Sequence, residues 1–328
     1  MPLLITGGAG FVLSNLARHW LETDPAATVV LLDAAPLDTP AERFFAPVRA
    51  RLQFLQGDVL DPAAWAALPP GITQVAHGAT ITPTAERERA TPRQIVEVNT
   101  LGTVNALEWA RGQAALKRFI YVSSGSVYSE DLPLDPAPPV REDDPVTPDG
   151  LYGASKYASE LITRRYGEVF GLDTASVRLS SVYGPMDRDT PARAKHSLPY
   201  QLAHRAAAGQ PIRLNALEGG GDWIHAQDVA RALTALLRAE RLRHAVYNVA
   251  YGEFVTAGQL VAIMREAVPG LDSAVAPEAA ANLVLDPQRR RGRWNAYDVS
   301  RLAEEFGWRP RPLRDALLHY LAWLKANE

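Results

Sequence analysis

The sequence predicts an α/β fold, in which a doubly wound parallel sheet is followed by a smaller C-terminal substrate-binding domain. The first half of the chain alternates short apolar runs with longer amphipathic segments, as repeated β-α-β units with right-handed crossovers do. After Gly184-Pro185 the pattern becomes irregular and is punctuated by polar residues and proline. The 328 residues suffice for one large domain or two closely packed ones.

Six apolar runs are predicted to be strands, because strands that are buried on both faces of a parallel sheet are almost continuously hydrophobic. They cover residues 3–6, 28–33, 52–56, 72–77, 119–123 and 174–179. Apolar residues at helical spacing predict helices over residues 11–22, 62–68, 93–111 and 152–170. Residues 133–148 contain six prolines and are predicted to form an exposed loop.

The second half of the chain is predicted to hold a loop at 187–195, helices at 198–208, 257–267 and 313–325, a strand at 211–214, and a turn at 219–221. A strand at 246–249 is expected to return to the main sheet. We therefore expect a nucleotide-binding domain over 1–180, with a returning segment near 225–250. The substrate-binding domain would comprise 181–224 and 251–312, and residues 313–328 would form a C-terminal helix.

Composition excludes several classes of function. The chain has no cysteine, so disulfides and thiolate metal sites are excluded, and its 7 histidines show no metal-binding spacing, so we expect no metal. With 34 basic and 37 acidic residues, the net charge of -3 gives no attraction toward nucleic acid or anionic lipid. No targeting segment and no apolar run of roughly 18 residues is visible, so a cytoplasmic location is expected.

A glycine-rich turn, Gly7-Gly8-Ala9-Gly10, lies between the first predicted strand and the first predicted helix. Glycines at this point let the backbone approach a pyrophosphate, whose charge is then stabilised by the helix N-terminus at Phe11 and Val12. Asp33 ends the second strand, where a carboxylate accepts hydrogen bonds from an adenosine ribose and repels a 2′-phosphate. The pattern predicts a dinucleotide site that prefers NAD to NADP.

A second signal is the pair Tyr152 and Lys156, which lie one helical turn apart on the same face of a predicted helix. A lysine cation beside a phenol lowers the pKa of the phenol and makes it a general acid or base. The serines of Ser123-Ser124-Gly125-Ser126 end the preceding strand. A hydroxyl group there can orient a substrate oxygen toward the tyrosine.

Together these motifs resemble the extended short-chain dehydrogenases/reductases, also called the NAD-dependent epimerase/dehydratase family. The resemblance implies a Rossmann fold and NAD as cofactor, and it extends over almost the whole chain. Its motifs are Thr6-Gly7-Gly8-Ala9-Gly10-Phe11, Gly57-Asp58-Val59, His77-Gly78-Ala79, Asn99-x-x-Gly102-Thr103, Val122-Ser123-Ser124-Gly125-Ser126-Val127-Tyr128, Tyr152-x-x-x-Lys156, Tyr183-Gly184-Pro185 and Asp222-Trp223-Ile224-His225-x-x-Asp228-Val229.

The resemblance implies a role for each matching residue. Tyr152 would be the catalytic acid/base, Lys156 would orient the ribose and tune Tyr152, and Ser124 would hold the reacting oxygen. The reaction implied is hydride transfer between a carbinol carbon and nicotinamide C4, coupled to proton transfer through Tyr152. The remaining cofactor contacts would come from Asp58 and Val59 at the adenine, Ala79 at the pyrophosphate, and Asn99, which supports the site or serves only as a loop or cap residue.

Five other residues are expected to face the substrate. Thr80 and Thr82 follow the His77-x-Ala79 motif, and Ser126 is either a second substrate hydroxyl or a turn serine. Ser181 and His196 stand where nucleotide-sugar epimerases usually carry asparagine, and Gly221 stands where they carry arginine. These replacements remove a cation and two amides from the place of a nucleotide diphosphate.

Other departures from the family pattern bear on catalysis. Leu13 replaces the third glycine of the turn, so helix 11–22 must shift outward or meet a small partner on the sheet. Related 4,6-dehydratases carry Asp-Glu at the positions of Gly125 and Ser126, and neither residue here can protonate a leaving hydroxyl, so a dehydratase is disfavoured. The arginines of 289–293 would reach a diphosphate or a sugar acid, or form a solvated basic loop.

The leading hypothesis is an NAD-dependent oxidoreductase that acts on a secondary alcohol of a small, sugar-like or polyhydroxy substrate without a nucleotide. The alternative is a nucleotide-sugar epimerase of the UDP-galactose type with tightly bound NAD. A third possibility is a dinucleotide-binding protein without turnover. Family members frequently dimerise through two long helices, here 93–111 and 152–170, so a homodimer is expected.

Overall fold

A computed structural model describes residues 1–128, 138–193, 196–285 and 296–327 of the chain. Its centre is a seven-stranded sheet in which every pairing is parallel. The strands are β1 (Pro2–Thr6), β2 (Thr28–Asp33), β3 (Leu52–Gln56), β4 (Gln74–His77), β5 (Arg118–Ser124), β6 (Thr174–Leu179) and β11 (Val246–Val249). Their order across the sheet is β11-β6-β5-β4-β1-β2-β3, which is a doubly wound topology.

Twelve helices are found within the described ranges. They are α1 (Phe11–Thr23), α2 (Thr39–Phe45), α3 (Pro62–Ala66), α4 (Ala85–Ala90), α5 (Pro92–Val96), α6 (Gly102–Arg111), α7 (Leu151–Phe170), α8 (Leu198–Ala207), α9 (Ala226–Arg238), α10 (Ala257–Ala267), α11 (Ser300–Phe306) and α12 (Leu313–Asn327). A π-helical turn, Glu97–Leu101, joins α5 to α6, and short 3-10 turns cover Ala46–Arg51, Gly125–Val127 and Glu278–Ala280.

Helices cover both faces of the sheet, because successive side chains of each strand point in opposite directions. In β1, Leu3 and Ile5 are buried in a core shared with α1 and α9, whereas Leu4 is buried on the other face. That second face packs against α3, α6 and α7, with Trp65 and Leu107 among its buried side chains. The nearly continuous hydrophobicity of the strands therefore reflects burial on both sides.

A second core lies beyond the main sheet. Leu202 of α8, Leu260 of α10 and Tyr320 of α12 are buried together with Trp223 and Ile212. Three small strand pairs surround this core: β7 (Ser181–Tyr183) with β10 (Trp223–His225), β8 (Ile212–Leu214) with β13 (Ser273–Val275), and β9 (Gly220–Gly221) with β12 (Val255–Thr256). The domain boundaries drawn from the sequence, and the assignment of this part to substrate binding, stay predictions.

The predicted α/β class, the parallel sheet and the return of β11 to its edge are confirmed. The predicted helix over 93–111 is instead two helices joined by a π-turn, in which Asn99 is buried. Residues 220–221 are not part of a turn, because they pair with β12. The helix α9 is absent from the predicted elements, although Val229, Leu233 and Leu236 occur at helical spacing and are buried.

No helix of the described ranges is both long and apolar enough to cross a membrane.

Candidate active site

The predicted site residues converge on one edge of the main sheet. In a parallel sheet the carboxyl ends of all strands lie at the same edge. The strand β1 has β2 as its neighbour on one side and β4 on the other, so the strand order reverses between β1 and β4. Gly7 follows β1, Asp33 ends β2, and Asp58 comes two residues after β3. Ala79 follows β4 and Ser124 ends β5. The crevice between the ends of β1 and β4 is where such folds bind dinucleotides.

The glycine turn is shaped for close approach of the backbone. Gly7 has a φ of 74°, and a Cβ added to it would lie 2.9 Å from both the N and the Cα of Ala79. The Thr6 hydroxyl accepts hydrogen bonds from the backbone N–H groups of Gly78 at 3.2 Å and Ala79 at 3.3 Å. Only glycine fits position 7, so the turn holds the cradle expected for a pyrophosphate.

The first helix begins directly after this turn. Gly10 is the N-cap of α1, and Phe11 and Val12 are its first two residues. The first N–H groups of any helix lack partners within that helix and carry its partial positive charge. These N–H groups suit an anionic cofactor group, which is the role predicted for Gly10, Phe11 and Val12.

Leu13 is accommodated because Gly78, which directly follows β4, has no side chain. It is 4% exposed, and a Cβ added to Gly78 would lie 2.5 Å from its Cδ1 atom. Of the two consequences expected for a bulky residue here, the structure therefore shows the small partner. Leu13 fills the space that opens above Gly78.

The Asp33 carboxylate is already oriented by the backbone. Its Oδ2 accepts a hydrogen bond from Ala9 N at 3.0 Å, and its Oδ1 accepts one from Ala35 N at 3.0 Å. Burial raises the pKa of Asp33, while these N–H groups and the charge of Arg188 act to lower it. Each carboxylate oxygen has a second lone pair, so the geometry leaves room for the predicted contact with ribose.

The residues predicted to bracket the adenine are differently placed. The Asp58 carboxylate is exposed and accepts from Leu60 N at 2.9 Å, which fixes a local turn. Val59 is buried, and a Cβ added to Gly102 would come within 2.7 Å of its Cγ2. Asn105 also donates to the Val59 carbonyl at 2.9 Å. The adenine contacts themselves stay predictions.

Asn99 connects two parts of the site. Its Oδ1 accepts from Ile81 N at 2.8 Å, and its Nδ2 donates to Ile81 O and to Ser155 Oγ, both at 3.1 Å. The loop that carries Ala79, and with it Thr82, is thereby tied to α7. This is a supporting position, and any direct contact of Asn99 with the cofactor stays a prediction.

The catalytic residues predicted from the sequence lie together. The hydroxyl groups of Thr82 and Ser124 lie near that of Tyr152 and act to lower its pKa. The Nζ of Lys156 donates to Val122 O at 2.9 Å and lies 5.7 Å from the centre of the Tyr152 ring. The structure therefore places a phenol, a serine and a lysine at the carboxyl edge of β5.

The pKa of Tyr152 differs from the expectation. Burial raises it above the ordinary value for tyrosine, whereas the nearby hydroxyl groups of Thr82 and Ser124 and the charge of Arg193 act to lower it. The expectation that a neighbouring lysine lowers the tyrosine pKa is therefore corrected for this structure. The physical reason is that desolvation of the phenolate outweighs the favourable contacts.

Lys156 is itself perturbed. Burial lowers its pKa to about 7, and the charge of Glu160 opposes that shift. Glu160 forms a buried ion pair with Arg178 at 2.8 Å and accepts a hydrogen bond from Ser123 Oγ at 2.5 Å. This pair joins α7 to β5 and β6 beneath the site.

Two of the predicted substrate residues present buried polar atoms. Within the described residues, neither Thr80 Oγ1 nor Ser126 Oγ has a hydrogen-bond partner. Buried hydroxyl groups are normally paired, so unpaired ones, one next to Ala79 and one two residues after Ser124, fit a site that completes its hydrogen bonds with a ligand. These unpaired hydroxyl groups, together with the close backbone approach at Gly7, indicate that the described residues fit NAD.

Two further predicted substrate residues, Ser181 and His196, are less directly placed. Ser181 lies in β7 opposite Trp223 of β10. His196 is held within its own loop, with Nδ1 at 3.0 Å from Asp187 and Nε2 at 2.9 Å from Asp189. Its ring stacks on Tyr200. The substrate contacts of Ser181 and His196 stay predictions, and the basic segment 289–293 lies outside the described residues.

Two residues of the site are absent from the sequence prediction. Arg193 comes from the irregular loop and lies with its Cζ 5.1 Å from the centre of the Phe11 ring. Tyr297 lies against Gly125, so that a Cβ on Gly125 would be 2.7 Å from Tyr297 Cζ. The unusual Gly125 was a signal that another group fills this space, but no spacing in the sequence identifies the group.

His77 is a buried core histidine with both ring nitrogens paired. Its Nδ1 lies 2.7 Å from Thr6 Oγ1 and its Nε2 3.1 Å from Thr103 Oγ1. Burial, reinforced by the charge of Lys156, lowers its pKa to about 3. The ring is therefore neutral near pH 7 and links β4 to β1 and α6.

Comparison with known proteins gives a consistent family assignment. The model of the "NAD dependent epimerase/dehydratase family" matches residues 3–250. A dTDP-glucose 4,6-dehydratase from Actinoplanes sp. is 30% identical over 100% of this chain and 98% of its own length. A putative UDP-glucose 4-epimerase from Methanocaldococcus jannaschii is 25% identical, with 99% of each chain covered. The structure of a UDP-glucuronic acid 4-epimerase from Bacillus cereus, in complex with UDP-glucuronic acid and NAD, is similar with a TM-score of 0.79, 22% identity and 100% coverage of both chains.

Proposed function

Because the chain belongs to the NAD dependent epimerase/dehydratase family and is an NAD-dependent enzyme, we propose that it oxidises or reduces a secondary alcohol of a small sugar-like substrate. The observation that carries this proposal is the contact of the Tyr152 hydroxyl with Thr82 and Ser124 at the sheet edge that bears the glycine turn. A phenol in this position can exchange a proton with an alcohol or ketone oxygen.

The chain's own residues would divide the work as follows. Gly7, Gly10 and the first N–H groups of α1 would hold NAD, which supplies the two-electron oxidant when bound. Ser124 would hydrogen-bond the reacting oxygen and align it with Tyr152. Since its raised pKa keeps Tyr152 protonated near neutral pH, the phenol is ready to donate its proton to a ketone oxygen. In the opposite direction, it must first lose that proton.

Dehydration is a less suitable reaction for this site, although relatives include dehydratases. Elimination needs an acid for the leaving hydroxyl. Residue 125 has no side chain, and the space where one would begin is filled by the Tyr297 ring. A carboxylic acid could not enter there without displacing the ring.

A nucleotide-sugar epimerase is the second candidate, favoured by the relative from Methanocaldococcus jannaschii that carries this description. Gly221 argues for the first candidate, because it is buried in β9 and presents no cation to a diphosphate. The two functions differ in what they release. An oxidoreductase converts NAD to free NADH as substrate is consumed, whereas an epimerase interconverts its substrates without net NADH.

The deciding experiment supplies NAD with a panel of sugars, sugar acids and nucleotide sugars and follows absorbance at 340 nm together with product analysis. Growth of the NADH band with substrate turnover supports the oxidoreductase. Isomerised product without NADH, together with thermal stabilisation by UDP, would replace it with the epimerase. Turnover of none of these compounds, with NAD still bound, would leave the dinucleotide-binding protein.

We further propose a homodimer that forms through α5, α6 and α7. Three apolar residues of this region are exposed in the single chain: Val96 is 41% exposed, Leu101 49% and Leu161 40%. A double Leu101→Glu, Leu161→Glu variant is expected to sediment as a monomer where the wild type sediments as a dimer. Val284→Glu is the matched control, since Val284 is equally exposed but lies outside these helices. The cytoplasmic location stays a prediction.

A further inference from the structure

Arg193 lies between the glycine turn and the catalytic tyrosine. Its guanidinium carbon is 5.1 Å from the centre of the Phe11 ring, at the first residue of α1. Its backbone forms a bridge with Thr82, whose hydroxyl contacts Tyr152. Its charge also favours the phenolate form of Tyr152, which opposes the rise in pKa that burial causes. The guanidinium is therefore a cation of the active site, contributed by the irregular loop.

This position is fixed by the structure. Residues 190 and 193 form a tight turn, in which Thr190 N donates to Arg193 O at 2.9 Å and Arg193 N donates to Thr190 O at 3.0 Å. Thr82 N donates to Ala192 O at 3.1 Å, and Arg87 donates to Pro191 O. The turn is thus tied to the loop after β4, which carries the predicted substrate residues Thr80 and Thr82.

The charge of Arg193 is only partly balanced. Its Nε lies 3.1 Å from Asp187 Oδ1, and its Nη2 lies 3.4 Å from Oδ2, which is a long contact. The same carboxylate is 3.0 Å from His196 Nδ1, so one buried acid serves two partners. Among the described residues, no acceptor lies within hydrogen-bonding distance of Nη1 of Arg193. Its side chain is 25% exposed, which leaves donors available to a ligand.

A partly paired guanidinium in a crevice favours an anion with two oxygens. Carboxylates and phosphates both match the planar donor geometry of arginine. The cofactor pyrophosphate is one source, but the first N–H groups of α1 are already suited to it. The Arg193 guanidinium lies over the Phe11 ring and its charge also interacts with Tyr152. An anion bound by Arg193 would therefore lie near the oxygen that reacts with Tyr152.

We propose that Arg193 binds a carboxylate of the substrate, so that the enzyme acts on sugar acids in preference to neutral sugars. This inference rests on the proposed function, because it specifies the sugar-like alcohol that Tyr152 and Ser124 would handle. The substrate carboxylate would take the free donors of Arg193, while Asp187 keeps the guanidinium oriented.

The test measures binding of matched pairs that differ in one carboxylate: D-galacturonate against D-galactose, and UDP-glucuronate against UDP-glucose. Calorimetry on the NADH-loaded protein gives the ratio of affinities within each pair. In the wild type, at least one acid is expected to bind about tenfold or more tightly than its neutral partner, since one charge-assisted contact contributes roughly 1.5–3 kcal/mol.

The variant Arg193→Gln is expected to lose this preference, with the affinity for the neutral sugar unchanged. Arg193→Lys, which keeps the charge without the planar fork, is expected to retain part of it. Arg89→Gln is the matched control, because Arg89 is an exposed arginine of the neighbouring helix α4, and the preference of this variant should equal that of the wild type. Thermal unfolding of each variant shows whether the fold is kept.

Three results would overturn the inference: equal binding of acid and neutral partner, no detectable binding of either acid, or an unchanged preference in Arg193→Gln. A loss of NADH affinity in Arg193→Gln, with the acid preference intact, would assign the arginine to the cofactor pyrophosphate. None of these results bears on the proposed function as long as a neutral alcohol is turned over in a Tyr152-dependent way. Failure of turnover with every alcohol would instead remove the proposed function.

Discussion

The ring of Tyr297 occupies the place where a side chain of Gly125 would begin, with its Cζ 2.7 Å from the ideal Cβ position. Tyr297 comes from the far end of the chain and packs at a tilt against Tyr128, with ring centres 5.7 Å apart. Gly125 directly follows Ser124, which contacts Tyr152. A residue from beyond position 295 thus packs beside Ser124, the proposed catalytic serine.

Replacing Gly125 by alanine is expected to destabilise the protein by about 1–3 kcal/mol, because the added methyl group overlaps Tyr297. Urea unfolding measures the loss. Gly112→Ala is the control, since its Cβ would come no nearer than 3.4 Å to Trp109 O. In a Tyr297→Ala background the cost of Gly125→Ala should shrink, giving a coupling of roughly 0.5–3 kcal/mol. Strict additivity would mean that the two residues do not share this space.

Replacing Tyr152 by phenylalanine is expected to lower turnover about 10²–10⁴-fold, because the proton donor is removed while the ring remains. NADH affinity, followed by fluorescence titration, should be unchanged. Tyr157→Phe is the control, because Tyr157 lies on the same helix but packs against the cluster of Val127 and Tyr128. If Tyr152→Phe kept nearly full turnover, another group would have to be the acid/base.

Lys156 is expected to change charge near pH 7 in protein without added NAD, since burial lowers its pKa to about 7. In the unfolded chain the lysine keeps its ordinary pKa of roughly 10.4, so between these values the folded state binds fewer protons. The penalty for the buried cation is therefore fully present below pH 7 and is relieved as the pH rises.

The wild type should gain stability relative to Lys156→Met between pH 7 and pH 9, by at most about 1.4 kcal/mol per pH unit. The measurement is the free energy of unfolding of both proteins across this range. A difference that stays flat with pH would show that Lys156 remains protonated throughout, as an ordinary exposed lysine would.

The carboxylate of Asp33 is expected to set the preference for NAD. Asp33→Asn removes the negative charge that opposes a 2′-phosphate, so the ratio of NAD to NADP affinity should fall by about tenfold, corresponding to roughly 1.4 kcal/mol. Fluorescence titration with NADH and NADPH gives this ratio. Asp61→Asn is the control, because Asp61 also accepts a backbone hydrogen bond but does so at the exposed start of α3. An unchanged ratio in Asp33→Asn would place the ribose elsewhere.

Local patterns predict the main sheet, which is confirmed, and they predict most of the candidate residues that the structure brings to its edge. The strands are mostly apolar because both faces of the sheet are covered, and the glycine turn, Asp33 and the Tyr152–Lys156 pair are short-range motifs. Arg193 and Tyr297 lie outside such motifs. Each reaches the site through contacts with residues more than 100 positions away, at Thr82 and Gly125, and no spacing encodes those contacts.

The perturbed pKa values of Tyr152 and Lys156 could not be predicted from the sequence either. Proximity of Lys156 to Tyr152 follows from helical spacing, but the extent of burial depends on how α7 packs against β5 and β6. The structure also shows a buried ion pair between Glu160 and Arg178, which no sequence motif predicts. Helical spacing predicts that the side chains of Tyr152 and Lys156 lie close together, whereas their charge states depend on packing.

The fit of Leu13 over Gly78 has an evolutionary consequence. Position 13 holds leucine where most such turns hold glycine, and position 78 is glycine. The Leu13 side chain therefore occupies the space that a side chain at position 78 would need, beside the β1–β4 crevice. A homologue with glycine at position 13 has room for a larger residue at position 78. A larger residue at position 78 would clash with the side chain if leucine were kept at position 13. Among orthologues, these two columns of an alignment should therefore covary in size.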